Sequence, residues 1–85
     1  MQSLHYSKAM PIIHRFANCA IVINPREHNP PHFHIRMNDG REVLVEIGSL
    51  ELLTATVARR EILDALAWAE KNCILLAEKF KEYNP

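Results

Sequence analysis

Three of the chain's five histidines stand in one seven-residue stretch, His28-Asn29-Pro30-Pro31-His32-Phe33-His34. Imidazole is the one side chain that ordinarily changes charge near neutral pH, and it is the commonest metal ligand. Three chemistries are open to the cluster. His28, His32 and His34, with Glu46 near them, form a nitrogen and oxygen donor set suited to zinc, iron, nickel or copper. The same histidines can act as an acid–base pair on a phosphodiester, with Arg26 and Arg36 holding the phosphate. Or they can be structural, packed beside the prolines and bonded to loop carbonyls.

A further basic pair widens the second option. Arg59 and Arg60 fall near an expected helix start, where cations are unfavourable with the helix dipole and a bound anion would reverse the penalty. This makes Arg60 a further phosphate candidate; the plainer reading has Glu61 and Asp64 neutralise the pair on a solvated face. There is no glycine-rich phosphate loop, no Cys-x-x-Cys and no serine or cysteine set beside a base.

These side chains depend on the backbone that carries them. Pro30 and Pro31 fix their own φ and push the residue before each toward extended geometry, so His32 is expected to enter a strand directly. In a strand His32, His34 and Arg36 share one face and Phe33, Ile35 and Met37 the other. Asn38-Asp39-Gly40 marks a turn, and a second strand is expected over Arg41–Ile47. Apolar faces must oppose each other. A three-residue loop with Gly40 in the left-handed position meets that requirement. It sets Met37 opposite Arg41, Ile35 opposite Val43, Arg36 opposite Glu42, His34 opposite Leu44 and His32 opposite Glu46. A His32–Glu46 contact is therefore expected, with the histidine held toward its charged form.

Upstream, Ile12–Ile23 reads as one strand with a bulge near Asn18. Its unbroken apolar run Cys19–Ile23 places it centrally in the sheet, or covered on both faces. His14 and Arg15 lie on it, so one of them could reach the His32/His34 face. Leu50–Ala55 is a short fourth strand or a crossover. Thr56 is the expected N-cap of a helix over Val57–Tyr83, with an apolar stripe Ile62, Leu66, Ala69, Cys73, Leu76, Phe80, Tyr83. Such a helix of roughly 27 residues is about 40 Å long, whereas a seven-residue strand spans about 23 Å. It must bend, break near Asn72 or bury its far end on another chain. The stripe continues past Asn72, which favours a partner surface.

The fold class is therefore α+β: a small antiparallel sheet of three or four strands followed by one long C-terminal helix packed on it. Residues 1–10 form an N-terminal arm and 11–85 a single domain. An 85-residue chain buries only roughly 60–65% of its unfolded surface, but 48% hydrophobic content is ample for a core. Net charge is zero, with a basic, histidine-bearing front half and an acidic back half. That balance argues against sequence-blind nucleic-acid coating while allowing a local anion site. Cys19 and Cys73 sit in apolar patterns and read as reduced, buried thiols of a cytoplasmic protein. No apolar run is long enough for a membrane span.

Glu27-His28-Asn29-Pro30-Pro31-His32-Phe33-His34, preceded by Met10-Pro11-Ile12-Ile13 and followed by Trp68-Ala69, resembles the prokaryotic family known as domain of unknown function 4160. The resemblance covers residues 10–83. It implies a hairpin and C-terminal helix, no settled activity, and a cognate small protein as partner in a toxin–antitoxin-like module. It carries over His28, His32 and His34 as the site. The chain departs from the family in its N-terminal arm and in lacking a proline around Ala58. Together these observations point to an RNA-directed toxin acting through the histidine cluster and Glu46. A non-catalytic interaction module, docking a partner or a second copy through its helix, is the alternative. A small metal-binding protein, with zinc as the expected ion, is the third.

Overall fold

The computed structural model describes residues 11–85; the expected arm at 1–10 lies outside the described residues. Four antiparallel strands form one sheet in chain order: β1 (Ile12–Arg15), β2 (Cys19–Val22), β3 (His32–Met37) and β4 (Glu42–Glu46). A 3-10 turn, Arg59–Ile62, leads into α1 (Leu63–Lys71) and α2 (Cys73–Tyr83). The class is α+β, as expected, but two elements differ from the sequence reading.

The first is the front strand, which is a hairpin. The chain reverses at Ala17-Asn18, so that Ile12 pairs with Val22 and Arg15 with Ala20, and the irregularity in the ladder lies between Ile12 and His14. Nothing in the apolar run announces this reversal, because no glycine marks it. It is held from outside: Asn38 donates from its backbone to Asn18 O at 2.9 Å and from its side chain to Ala17 O at 3.0 Å. The Asn18 amide in turn donates to Glu61 O at 2.9 Å.

The second is the helix, which breaks. Asn72 has φ −123° and ψ 28°, outside helical geometry. Its side-chain amide donates to Trp68 O at 2.8 Å, and its backbone N–H takes Ala69 O at 3.1 Å in place of the four-residue bond. An asparagine amide that competes for main-chain carbonyls interrupts a helix even where the apolar stripe runs on. Two shorter segments then fit the sheet, and α2 buries Leu76 and Phe80 within this chain. The start also moves. Thr56 donates its hydroxyl to Glu42 O instead of capping, and the Glu61 carboxylate accepts the Ala58 N–H at 3.0 Å.

The β3–β4 register is the derived one: Arg36 opposite Glu42, Ile35 opposite Val43, His34 opposite Leu44 and His32 opposite Glu46. Met37 N–H reaches Arg41 O at 2.7 Å, and Gly40 carries the positive φ of 99° that closes the loop. Leu50–Ala55 supplies a single bridge, Leu52 to Val45, rather than a strand. Its backbone still follows β4, with Glu46 N–H on Glu51 O and Leu53 N–H on Leu44 O.

The core lies between one sheet face and the helices. Ile21, Phe33, Ile35, Val43 and Val45 from the sheet meet Ile62, Ala65, Ala69 and Leu76, all essentially without solvent exposure. Burying each large side chain contributes about 1.5–3 kcal/mol. β2 is buried at all four positions, as its continuous apolar run required. His14 takes the helix side, stacked on Trp68 at 4.7 Å, while Arg15 lies with Arg36, Ile12 and Val22 along a groove on the opposite side. Among the described residues no helix is long and apolar enough to cross a membrane.

Candidate metal centre

β3 sets His32 and His34 two residues apart on one face, with ring centroids 5.4 Å apart. The face is the expected one, but the rings do not stand out into solvent: they are 6% and 7% exposed. Both are drawn into hydrogen bonds with the chain around them. The chain reaches β3 through a cis Asn29–Pro30 peptide bond.

His32 Nδ1 lies 2.8 Å from Pro30 O, and its Nε2 lies 2.8 Å from Glu27 Oε1. A carbonyl only accepts, so Nδ1 carries the hydrogen. His34 is arranged alike. Its Nδ1 donates to a Glu42 carboxylate oxygen across the hairpin, and its Nε2 turns toward Glu27 Oε1 at 3.8 Å. Glu42 stands diagonally from His34 on the same face, and its other oxygen accepts from Arg36 at 3.3 Å. Glu27, His32 and His34 thus bring one donor atom each to within 4.8 Å of one another.

Asn24 completes the surroundings. Its Nδ2 lies 3.3 Å from His34 Nε2, while its Oδ1 is buried with no hydrogen-bond partner. Such an orphaned acceptor is uncommon in a folded protein. Which end of an amide bears the oxygen is assigned from its hydrogen bonds; turned over, this one would present Oδ1 to the same space.

Glu46 does not join the group. The register sets it opposite His32, but its carboxylate accepts the Ser49 hydroxyl at 2.7 Å, and Glu27 takes the place beside His32. His28 is exposed and lies outside the group of three donors. Among the arginines, Arg36 connects to His34 through their shared partner Glu42. Arg26 is exposed in the loop with a positive φ of 63°. Arg36 bridges to Glu42, and Arg60 lines a notch with Asn18, Glu61 and Asp64. Asn18 sits beside the Met37 end of β3, the end away from His32.

Glu27 and Asn24 were not legible as site residues, because the loop that bears them has no period to read. Its anchor is Asn84, at the end of α2. The Asn84 side chain accepts the Glu27 backbone N–H at 2.6 Å and donates to Asn24 O at 3.1 Å.

The shifted titrations lie at the other end of the sheet. Hydrogen bonds from the Arg41 guanidinium hold the Glu61 and Asp39 carboxyls below their ordinary values, and the two acids raise Arg41 in return. Burial, and then the charge of Asp64, push the Cys19 thiol up; both cysteines are free.

The family model described as a domain of unknown function (DUF4160) matches residues 20–81, and the chain belongs to that family. No curated protein and no solved structure matches the chain.

Proposed function

From this family membership, which brings no activity with it, we propose that the chain is a small metal-binding protein. Its ligands are His32 Nε2, His34 Nε2 and the Glu27 carboxylate, and its ion is a divalent first-row cation, zinc foremost. One observation carries this reading. With Nδ1–H committed to Pro30 O, a neutral His32 ring has only a lone pair at Nε2, and that lone pair faces a carboxylate oxygen at 2.8 Å. Two acceptors at that distance need a proton or a cation between them.

The surroundings suit a cation better than a lone proton. Metal-ligating histidines characteristically give their other ring N–H to a carbonyl or a carboxylate, and here His32 gives it to Pro30 and His34 to Glu42. Tetrahedral zinc with ligand bonds near 2.1 Å sets its donor atoms about 3.4 Å apart. The two gaps to Glu27, 2.8 and 3.8 Å, bracket that spacing. Two histidines and a glutamate leave a fourth position, which the Asn24 amide oxygen or a water could fill. Metal-free acid–base cleavage of RNA has less support, since both rings are buried and both Nδ1 hydrogens are already given away.

The test is titration with zinc and with cobalt(II), read by native mass spectrometry and by the cobalt visible spectrum. One equivalent should bind wild type, and His32→Ala and His34→Ala should bind at least about 100-fold more weakly. His28→Ala should bind like wild type. Uptake that needs His28 and survives loss of His34 would overturn the assignment.

Partner binding is a compatible second reading, favoured by one observation. Leu63 and Ile74 stand 57% and 73% exposed on the helices, which is where a cognate small protein or a second copy would seat. Native mass spectrometry of the protein from its own host tests this, with a single-chain mass as the contrary result.

A further inference from the structure

We propose that Asn84 is a positioning residue for this centre, and that occupancy of the centre is coupled to docking of the C-terminal end of α2. The inference rests on the metal reading above and deepens it. It adds a residue three positions beyond the end of the family match at residue 81.

The argument starts from the loop between β2 and β3. It contributes Glu27 and Asn24, yet it belongs to no ladder, so its buried backbone groups must find partners elsewhere. At Glu27 and Asn24 that partner is one side chain. Asn84 Oδ1 accepts the Glu27 N–H at 2.6 Å, and Asn84 Nδ2 donates to Asn24 O at 3.1 Å. The same amide donates to Phe80 O at 3.0 Å, and the Asn84 backbone N–H closes on that carbonyl at 2.9 Å. One residue therefore fastens the last turn of α2 to both ends of the Asn24–Glu27 segment. A second contact runs in parallel: the Phe80 ring lies 5.5 Å from the His32 ring.

The consequence is a linkage. A cation drawing Glu27 toward His32 and His34 fixes the segment that Asn84 also fixes. Each event then lowers the ordering cost of the other, and the coupling must be reciprocal. Asn84 touches no donor atom of the group, so its effect on metal is indirect. Outer partners of this sort are worth about 10–100-fold in metal affinity.

The experiment measures cobalt(II) affinity of wild type and Asn84→Ala on the full chain, together with amide hydrogen exchange of wild type and His34→Ala with and without zinc. The expected results are a 10–100-fold weaker affinity in Asn84→Ala and, in wild type alone, slower exchange of the Glu27 and Asn84 amides when zinc is added. A merely structural asparagine would lower the melting temperature without making zinc slow the Asn84 amide. Affinity within about twofold of wild type, or an Asn84 amide indifferent to zinc, overturns the coupling. Should Asn84→Ala fail to fold, the wild-type exchange result decides alone. Wild type that takes up metal but shows no Asn84 effect refutes this inference only. Wild type that takes up no metal refutes the site assignment as well.

Discussion

His34 and Glu42 are bonded ring to carboxylate across the β3–β4 hairpin, although the register sets Leu44, not Glu42, opposite His34. The contact is diagonal, within reach because both side chains leave the same face. It fixes the hydrogen on Nδ1 and leaves Nε2 as a lone pair, turned toward Glu27 and the Asn24 amide. Glu42→Ala releases that constraint without touching any donor atom of the Glu27–His32–His34 group. Zinc affinity should fall about 10–100-fold, measured by competition with a chromophoric chelator. An unchanged affinity would show that the ring is oriented by something else.

Glu27→Gln separates a ligand role from a salt-bridge role by the sign of its effect. As a ligand Glu27 is needed for the metal, so affinity should drop by at least about 100-fold. In metal-free protein the change should be neutral or stabilising, because a glutamine amide can donate to the His32 lone pair that now faces a carboxylate at 2.8 Å. Thermal melts in a chelator give that sign. A large loss of metal-free stability would mean that the pair is an ordinary ion bridge.

Phe33 is fully buried on the opposite side of the strand that carries the histidines. Phe33→Ala should cost about 3–5 kcal/mol, read from urea unfolding. In a domain of this size, that removes much of a stability of about 5–15 kcal/mol. A milder loss would mean that the core collapses around the cavity.

Gly40 has φ +99°, and nothing lies within 4 Å of where a Cβ would stand. The cost of Gly40→Ala is thus backbone strain alone, about 1–2 kcal/mol. Denaturant midpoints measure it, and a neutral result would mean that the loop relaxes to another turn.

Acid stability should depend on Arg41. Its guanidinium bonds to Glu61 and Asp39 and holds both carboxyls below their ordinary values. Lowered folded-state values mean stability that is fully present above the unfolded range, about pH 4, and lost as pH falls through the lower folded values. Arg41→Met should therefore melt earlier than wild type near neutrality and converge with it in strong acid. Arg41 and Asp39 are exposed and Glu61 is partly so, so high salt should shrink the gap. Melting temperatures between about pH 7 and about pH 2 give the comparison.

Much of the sheet was legible in the sequence. The β3–β4 register followed from two facts, that Phe33, Ile35 and Met37 alternate and that a three-residue loop aligns them with Val43 and Val45. His32 and His34 were legible as a pair for the same reason. What escaped was decided by single polar side chains. Register places Cα atoms, but Ser49 decided where the Glu46 carboxylate went, and Glu27 arrived from a loop without period. The stripe from Ile62 to Tyr83 gave no sign of a break, because the Asn72 amide acts on carbonyls rather than on the apolar face. The turn at Ala17-Asn18 depends on Asn38, twenty residues on, which no local pattern reveals.

The segment that follows β4 has a final consequence. By giving Glu51 O, Leu53 N–H and the Thr54 hydroxyl to Leu44 and Glu46, it occupies that border of the sheet. A peptide laid along β4 would find its hydrogen-bonding groups already taken. Among the described residues, the open border is β1, four residues long and ending in His14-Arg15. A margin this short offers little length for strand addition, so among the described residues β4 is covered and β1 presents only a brief edge.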